Sequence, residues 1–535
     1  MRNVRPSTLL AFVLAAFVAL AGSAMLHTST TFDEIVFAAI GARGFHTGHF
    51  DLVFDHPRLP QYLFGLPVFL ASPNFPPEAL VAVPSGLPEY RYARALFWQA
   101  GNDPERLAFA MRLVGLAFGA LTVAATFVFS RWHLPARAAV LAAALVAFLP
   151  DMLAHSGIAY TDVPLTFALL AGVYALDGAV RDPVMRRVVP AALLCAFAVS
   201  IKYSGIVLAP IAASLIALEA LSGRWADREW RRALVFGAAA FVGVAWLSLA
   251  FVGQGDWGLS EFADRLQRSV HGAAGRDAFL LGTHYFGGRW YFFPVALALK
   301  TPVALHVLAV LAIAGAWGAS RHVEWKALLA HGARAPVVGA GFFLVATIVT
   351  PLNIGTRHAL PLAVFLCVLV AQGLVPVWER AAAGTRAALA LLLAAFVLSS
   401  VRYYPYFVSY LDEYASGREM YETLVDSSTD WGQGLLGLRR FMRERGVDSV
   451  ALGYWGSAMP EGYGIRYVAM PSYFPLENPA AGAEKPRYLV VSATLLAGTV
   501  RSDPYAALRA AHPVAVVGGS LYVFDGAALG APAAR

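Results

Sequence analysis

Apolar runs long enough to cross a bilayer recur along this 535-residue chain and constrain its fold more than any other feature. A membrane-spanning helix needs about 20 consecutive apolar residues. Only 14% of the residues are charged, against about 25% in a soluble domain. The sequence therefore predicts a polytopic α-helical membrane protein with about eleven transmembrane helices, in the runs 8–26, 107–130, 136–150, 163–180, 188–201, 204–221, 233–253, 294–319, 335–351, 359–377 and 387–402.

Clusters of basic residues predict how these helices are oriented. The segments MRNVR, RWHLPAR, RDPVMRR, GRWADREWRR, SRHVEWK and WERAAAGTR alternate with connections that carry little such clustering. By the positive-inside rule the clusters are cytoplasmic, which places the N-terminus inside and the C-terminus outside. We expect a multi-pass membrane protein. Because the net charge of +7 is spread over these short clusters, it does not indicate nucleic-acid binding.

Long segments fall on the predicted outer face. The first, 27–106, contains two apolar pieces of helix length, which suit helices lying in the interface plane. A second runs over 254–290, and the third is a tail in which helical and strand patterns alternate. We predict a transmembrane domain over 1–402, whose first outer loop is 27–106, and a small α/β domain over 403–535 on the same outer side.

Nothing in the sequence indicates a metal or a firmly bound cofactor. Cys195 and Cys367 lie inside apolar runs, outside any metal-ligand spacing. No HExxH or comparable spacing links His56 with His155. Clustered carboxylates are compatible with a divalent ion, but no ligand spacing demands one.

Unusual polar residues converge on the predicted outer side. Asp33 and Glu34 follow the first span, and Asp162 begins a later one. Lys202 lies at the outer end of a hairpin of two short apolar legs, and Lys300 interrupts an apolar run. An intramembrane cation is a functional hypothesis by default. The remaining candidates on this side are Asp55, His56, Arg58, Tyr203, Arg289, Arg357 and His358.

Each candidate also has a structural interpretation. Thr31 and Glu34 fit a capping box, and Asp162, shortly before a proline, suits a helix cap. Lysines in apolar runs snorkel to headgroups, and basic residues such as Arg357 mark span boundaries. The joint pattern nevertheless suits one reaction. Transfer of a sugar from a lipid phosphate needs a carboxylate to take the acceptor's proton and cations to hold the leaving phosphate. Asp33 and Asp162 are candidates for the first role, and the candidates for the second are Lys202, Arg357, Arg58, Arg289 and Lys300.

Several segments carry a family resemblance. They are FDE with the following DHPRLPQYL, YTDVPLTF, SIKYSGIVLAP, NIGTRHALPL and, in the tail, DSSTDWGQGLLGLRRF and GYWGSAMPEGYGI. With these segments the chain resembles the GT-C superfamily of polytopic glycosyltransferases, in the group of the protein O-mannosyltransferases and the bacterial lipid A aminoarabinose transferase. The resemblance implies a protein of the bacterial inner membrane that transfers a monosaccharide, with inversion, from a polyprenyl-phosphate donor to a periplasmic acceptor. The acceptor is a protein, lipid A, another glycan or a small lipid, and the sequence leaves these alternatives open.

The resemblance also implies roles for individual residues. Asp33 matches the family's catalytic aspartate, its suggested general base, and Glu34 matches the acidic neighbour. Asp162 matches a second acidic position that places the acceptor or sugar. Lys202 and Arg357 match basic positions near the lipid phosphate. The sequence departs from the family at Arg58, which stands where a second proline is usual.

Two other classes remain open. A flippase for lipid-linked sugars would need paired half-helices in two repeated halves; the lysine-interrupted runs hint at this, but the acidic first loop has no second copy. A membrane-anchored sugar-binding protein is suggested by tail aromatics, since aromatic faces stack on sugars as well as filling cores. Those aromatics are Trp431, Tyr454, Trp455 and Tyr463.

Overall fold

Helices make up most of the computed structural model, which describes residues 4–52, 56–81, 87–253, 267, 276–320, 334–476, 486–499 and 503–529. The predicted site residue Asp55 lies outside these ranges. So do much of the predicted outer loop 254–290 and all but the first residue of the basic cluster SRHVEWK.

Sixteen helices precede the tail within the described ranges. In chain order they are α1 (Pro6–Ala24), α2 (Glu34–Thr47), α3 (Leu59–Leu70), α4 (Pro88–Arg94), α5 (Pro104–Ser130), α6 (Ala136–Ala147), α7 (Pro150–Ser156), α8 (Asp162–Arg181), α9 (Met185–Ile201), α10 (Leu208–Leu221), α11 (Arg228–Gly253), α12 (Phe292–Leu299), α13 (Val303–Ser320), α14 (Arg334–Val349), α15 (Leu360–Arg380) and α16 (Ala383–Val401).

The predicted multi-pass helical class is confirmed. Among the described residues, seven helices are long and apolar enough to cross a membrane, and nine spans result if two bent helix pairs each count as one. The other two predicted runs form α9 and α14, which have 17 and 16 residues. The total of about eleven spans stays a prediction.

Prolines account for the two bends. Pro150 begins α7, and Leu149 before it is extended, so α6 and α7 meet at 64°. Pro302 separates α12 from α13, which meet at 113°. A proline disfavours helical geometry in the residue before it, which turns each run at that point.

A hairpin that the sequence did not predict, β1 (Asp277–Leu280) with β2 (Thr283–Phe286), precedes α12. The elements of the tail are α17 (Leu435–Arg445), β3 (Val450–Gly453), β4 (Tyr467–Ala469), β5 (Tyr488–Ser492), α18 (Ala493–Leu496), β6 (Ala515–Val517), β7 (Leu521–Asp525) and α19 (Gly526–Leu529).

The five tail strands form one sheet of order β4-β3-β5-β7-β6. Its neighbours β3–β4 and β3–β5 are parallel, and β5–β7 and β6–β7 are antiparallel. The strand and helix patterns predicted in the tail are confirmed, and β4 was not among them.

The tail packs directly on the helical part. The Ser29 hydroxyl donates to the Gly432 carbonyl (2.9 Å), and Lys300 Nζ donates to the Val408 carbonyl (2.8 Å). The predicted boundary at 402/403 stays a prediction, although α16 ends beside it at Val401. The two parts form one continuous structure around the site described below.

The first loop supplies a tight helix pair, α2 and α3. A Cβ on Gly41 of α2 would lie 1.9 Å from the Gln61 carbonyl oxygen and 2.9 Å from Gly65 Cα on α3. Because backbone stands in the way, no side chain can rotate to make room. The two helical pieces predicted in this loop are confirmed, and their placement in the interface plane stays a prediction.

We expect Gly41→Ala to lower the free energy of unfolding by about 1–3 kcal/mol through overpacking. The matched control is Gly341→Ala in α14, where a Cβ would meet nothing within 4 Å; alanine is favoured there by up to about 1 kcal/mol. Thermal unfolding in detergent measures the change in stability of both variants. Equal melting temperatures for the two variants would contradict the close approach of α2 and α3.

Candidate active site

The two adjacent carboxylates at the start of α2 have different surroundings. Glu34 is fully buried, and its carboxylate accepts from Arg112 Nε (2.7 Å) and Nη2 (2.9 Å). Backbone amides complete its shell, Thr31 N at 2.9 Å and Ala159 N at 3.0 Å. The bond from Thr31 N is the one that the capping-box interpretation predicts. Glu34 is therefore a saturated structural acceptor.

Arg112 of α5 is the partner that makes this burial tolerable. Its guanidinium also donates to three carbonyls at the end of α1 and in the following segment, those of Met25 (2.6 Å), Thr28 (2.9 Å) and Ser29 (2.9 Å). Every one of these bonds is charge-assisted. The ion pair thereby fixes the start of α2, and with it the neighbouring Asp33.

Asp33 faces open space instead. Its side chain is 17% exposed, and Oδ2 lies 4.0 Å from Arg357 Nη2. Oδ1 accepts a hydrogen bond from the Tyr90 hydroxyl at 2.5 Å. Burial and the charge of Asp33 raise the pKa of Tyr90, which therefore stays protonated and remains a donor.

Asp162 binds two cations at the start of α8. Its Oδ1 lies 2.7 Å from Lys202 Nζ, and its Oδ2 lies 3.2 Å from Arg357 Nη1. Lys202 Nζ is also 3.3 Å from His358 Nδ1. A buried charge is tolerated when it is paired and hydrogen-bonded, so the three charged groups hold one another in place.

Local chain geometry presents the two cations. Lys202 ends α9 in an extended conformation (φ −155°, ψ 140°), and the 3₁₀ turn Tyr203–Val207 follows it. Arg357 lies in the 3₁₀ turn Thr356–Ala359 that leads into α15. Helix breaks at these points leave the side chains between the helices, in agreement with the hairpin turn predicted at Lys202.

Tail residues fix the Arg357 guanidinium. Its Nε donates to Ser427 Oγ at 3.0 Å, and its Cζ lies 4.1 Å from the centre of the Trp431 ring. A second ring, that of Tyr160 beside α8, is 4.7 Å away. Such cation–π contacts strengthen when the cation is desolvated. The arginine thereby connects the helical part with the tail.

These groups border a space of about 440 Å³ that we call the helix-side cavity. Apolar side chains of α8, the α10 region and α14 form much of its remaining wall, among them Leu165, Leu169, Val207 and Phe343. A pocket that combines apolar walls with a few convergent charges suits an amphiphilic ligand. The predicted site residues that line it are Asp33, His56, Asp162, Lys202, Tyr203, Arg357 and His358.

His56 enters this cavity as a neutral side chain. Burial, with a further contribution from the charge of Lys202, lowers the pKa of His56 to about 3. The imidazole is consequently uncharged at physiological pH. It adds hydrogen-bonding capacity to the site without adding to the positive charge.

Four predicted site residues lie elsewhere. Glu34 is held by Arg112, as described above. Lys300 is buried against Asp151 (3.3 Å) and anchors the tail through the Val408 carbonyl. Arg289 is exposed, and Arg58 precedes α3; neither lines the cavity.

Three contributors were missed by the sequence analysis. Arg112 carried a signal, since it is a lone charge inside the apolar run 107–130. Tyr90 and Arg276 carried none, because the positions of their side chains at the cavity depend on how the first loop and the β1 region pack. Among the described residues, no group of three His, Cys, Asp or Glu side chains is arranged to hold a metal ion.

A second space of about 460 Å³, the hairpin-side cavity, lies beyond the first. Asp33 and Arg357 line both. Its other walls come from β1–β2 and the tail, and they include Asp426, Trp455 and Thr494. Burial raises the pKa of Asp426 to about 6, against the opposing effect of Arg357. Because Asp33 lines both cavities, it is accessible from two sides.

We expect Arg112→Met to lower the free energy of unfolding by about 3–5 kcal/mol, because it leaves the Glu34 charge buried and unpaired. Glu34→Gln should also be strongly destabilising, because it leaves the Arg112 charge buried without a carboxylate partner. Asp33→Asn should cost less than about 1 kcal/mol, since Tyr90 can still donate to an amide oxygen. Melting temperatures in detergent test the series, and an Asp33 variant as unstable as the Glu34 variant would refute this division.

Comparisons with known proteins agree with these observations. Residues 89–248 match the family model described as dolichyl-phosphate-mannose-protein mannosyltransferase. The matched segment is less than a third of the chain. No curated protein matches significantly.

Solved structures resemble the chain over more of its length. ArnT from Cupriavidus metallidurans bound to undecaprenyl phosphate is 13% identical, with a TM-score of 0.49, over 98% of this chain and 99% of that one. The oligosaccharyltransferase AglB from Archaeoglobus fulgidus, in complex with an inhibitory peptide and a dolichol-phosphate, is 15% identical, with a TM-score of 0.45, over 74% and 55%. Residues 89–248 are therefore similar to this mannosyltransferase family, and the described helices are those of a multi-pass membrane protein.

Proposed function

We propose that this protein transfers a monosaccharide from a polyprenyl-phosphate carrier to an acceptor on the periplasmic face of the bacterial inner membrane. One observation carries the proposal: a partly exposed carboxylate, Asp33, lies 4.0 Å from the cation of a buried Arg357–Asp162–Lys202 cluster, at a cavity with apolar walls. The family model matched by residues 89–248 is itself described by a sugar on a lipid phosphate, which supports the donor class.

The charges suit a displacement at the anomeric carbon. Asp33 takes the proton of the acceptor hydroxyl or amine, whose lone pair forms the new bond to that carbon. The bond from the carbon to the phosphate oxygen breaks, and its electron pair leaves with the phosphate. Lys202 and Arg357 stabilise the charge on that leaving group. A single displacement inverts the configuration, and the apolar walls accommodate the polyprenyl chain.

Asp162 has a different role in this proposal from the one implied by the resemblance. Both of its oxygens are engaged, one by Lys202 and one by Arg357. A carboxylate held in this way has little freedom to bind an acceptor or sugar. We assign it to positioning the two cations, and we assign the chemistry of proton removal to Asp33.

We expect Asp33→Asn to lower the rate of transfer by roughly 10²–10⁴-fold, the usual contribution of a general base, while carrier binding is retained. Mass spectrometry of membranes supplied with polyprenyl-phosphate sugar, seeking an acceptor heavier by one sugar, measures the rate. The control is Asp448→Asn, an exposed carboxylate outside both cavities. Full activity of the Asp33 variant would reject Asp33 as the base. Movement of labelled donor across the membrane of liposomes that contain the protein, with no covalent product, would favour a flippase.

Lys202→Met should weaken binding of undecaprenyl phosphate by tenfold or more, roughly the loss of one charge-assisted contact to phosphate. Lys300→Met is the matched control: it removes another ion-paired lysine, one that is buried and lies outside the helix-side cavity. Its folded fraction should bind the lipid normally, although its stability falls. Titration of each purified variant with undecaprenyl phosphate gives its dissociation constant for the lipid. Equal weakening of lipid binding in the two variants would contradict the assignment of Lys202.

A further inference from the structure

The hairpin-side cavity has a composition of its own. Carboxylates line it at Asp33, Asp277 and Asp426, while guanidinium groups line it at Arg276 and Arg357. A bound anion would face the three carboxylates, and a bound cation would face the two arginines. Both kinds of ligand therefore meet like charge, which disfavours them. A neutral ligand that donates and accepts hydrogen bonds faces no such opposition.

Two hydrogen-bond donors at this cavity have no partner in the described part of the chain. Asn353 is 2% exposed, and its Oδ1 accepts from Arg289 N (2.6 Å), which fixes the amide orientation. Its Nδ2 is buried without an acceptor, as is Trp455 Nε1. Buried polar groups in native proteins are rarely unpaired. Both residues line the cavity, so a ligand oxygen there would supply the missing acceptor.

The tail supplies aromatic surface in the same place. The Trp455 and Tyr473 rings contact each other edge to face, with centroids 4.8 Å apart, and both line the cavity. Tyr473 is 52% exposed. By contrast Tyr454 and Tyr463 are core residues, exposed by 0% and 3%, and Trp431 packs on Arg357. Of the tail aromatics suspected of binding sugar, only Trp455 and Trp431 border this space.

Asp426 is held at the cavity by an unusual backbone conformation. Its φ is +52°, in the left-handed region that residues other than glycine seldom adopt. Its backbone N–H donates to Thr494 Oγ1 (3.0 Å), and its Oδ1 accepts from Ser427 N (2.5 Å). Strained residues held by surrounding bonds often occur at binding sites. The carboxyl adds a strong acceptor to the lining of the cavity.

We propose that the hairpin-side cavity is the acceptor site of this enzyme and that its occupant is a neutral, hydroxyl-rich glycan. The proposal rests on the glycosyl transfer proposed above and names its acceptor class. Trp455 and Tyr473 stack on sugar rings, while Asn353 and Asp426 bind hydroxyl groups. Since Asp33 lines both cavities, an acceptor hydroxyl here reaches the base from the side opposite the carrier.

The test measures glycan binding separately from carrier binding. Full-length protein in lipid nanodiscs is titrated with neutral trisaccharides of glucose, mannose and N-acetylglucosamine, and saturation-transfer NMR reports their contact with the protein. We expect saturable millimolar binding of at least one trisaccharide. Trp455→Ala should weaken it about tenfold, the loss of one stacking platform. Tyr473→Ala, at a half-exposed position, serves the same purpose if the first variant does not fold.

Two controls separate the sites. Trp290→Ala removes an exposed tryptophan outside both cavities and should leave trisaccharide binding unchanged. Lys202→Met should weaken undecaprenyl phosphate binding by tenfold or more and keep trisaccharide binding unchanged. Absence of trisaccharide binding in the wild type, or equal binding in the wild type and Trp455→Ala, overturns the acceptor site. Saturable binding of a neutral serine-rich peptide in place of the sugars also overturns it, in favour of a protein acceptor.

The same data distinguish the two proposals. If the wild type binds undecaprenyl phosphate but no trisaccharide, the acceptor inference fails while the proposed donor class stands. If it binds a trisaccharide through Trp455 but not undecaprenyl phosphate, the proposed donor fails and the glycan site stands. Binding of both ligands, each weakened only by its own variant, supports both proposals.

Discussion

The buried guanidinium of Arg357 is the interaction on which the arrangement of this protein depends. A charge removed from water is tolerated only with an opposite charge and satisfied hydrogen bonds nearby. Asp162 supplies the charge from the helical part, and Ser427 and Trp431 supply a hydrogen bond and an aromatic face from the tail. The tail is therefore required to complete the site, because without it the arginine would lose this hydrogen bond and this aromatic contact.

The division between Asp33 and Glu34 follows from the same electrostatics. Four donors compensate the burial of Glu34, two from Arg112 and two from backbone amides, so its hydrogen-bonding capacity is taken up by structural contacts. Asp33, one residue earlier, points to the other side of the chain, where Tyr90 is its near donor and space remains for a ligand. A carboxylate that is already saturated makes a poor base, whereas a partly accessible one beside a cation can exchange a proton.

The sequence predicted much of this site because the constraint that places it is strong. Charged residues are rare in membrane spans and face the protein interior there, so Lys202, Asp162 and Arg357 could be expected to meet. The same reasoning grouped Lys300 with them, but Lys300 lies against Asp151 and the Val408 carbonyl. Hydropathy gives the depth of a residue and not its direction around the helix axis. Arg289 and Arg58 were grouped by loop location alone, which constrains still less.

What the amino-acid sequence determined by itself is the class of the protein: apolar runs leave the backbone no alternative to spanning helices, and period-two patterns in the tail gave its strands. Local features also determined the bends at Pro150 and Pro302 and the cap at Glu34. Only the tertiary structure decided that Arg112 neutralises Glu34, that Tyr90 donates to Asp33, and that Trp455 borders a cavity while Tyr454 fills a core. Those assignments depend on contacts between segments far apart in the chain, and no local pattern encodes which distant partner a side chain meets.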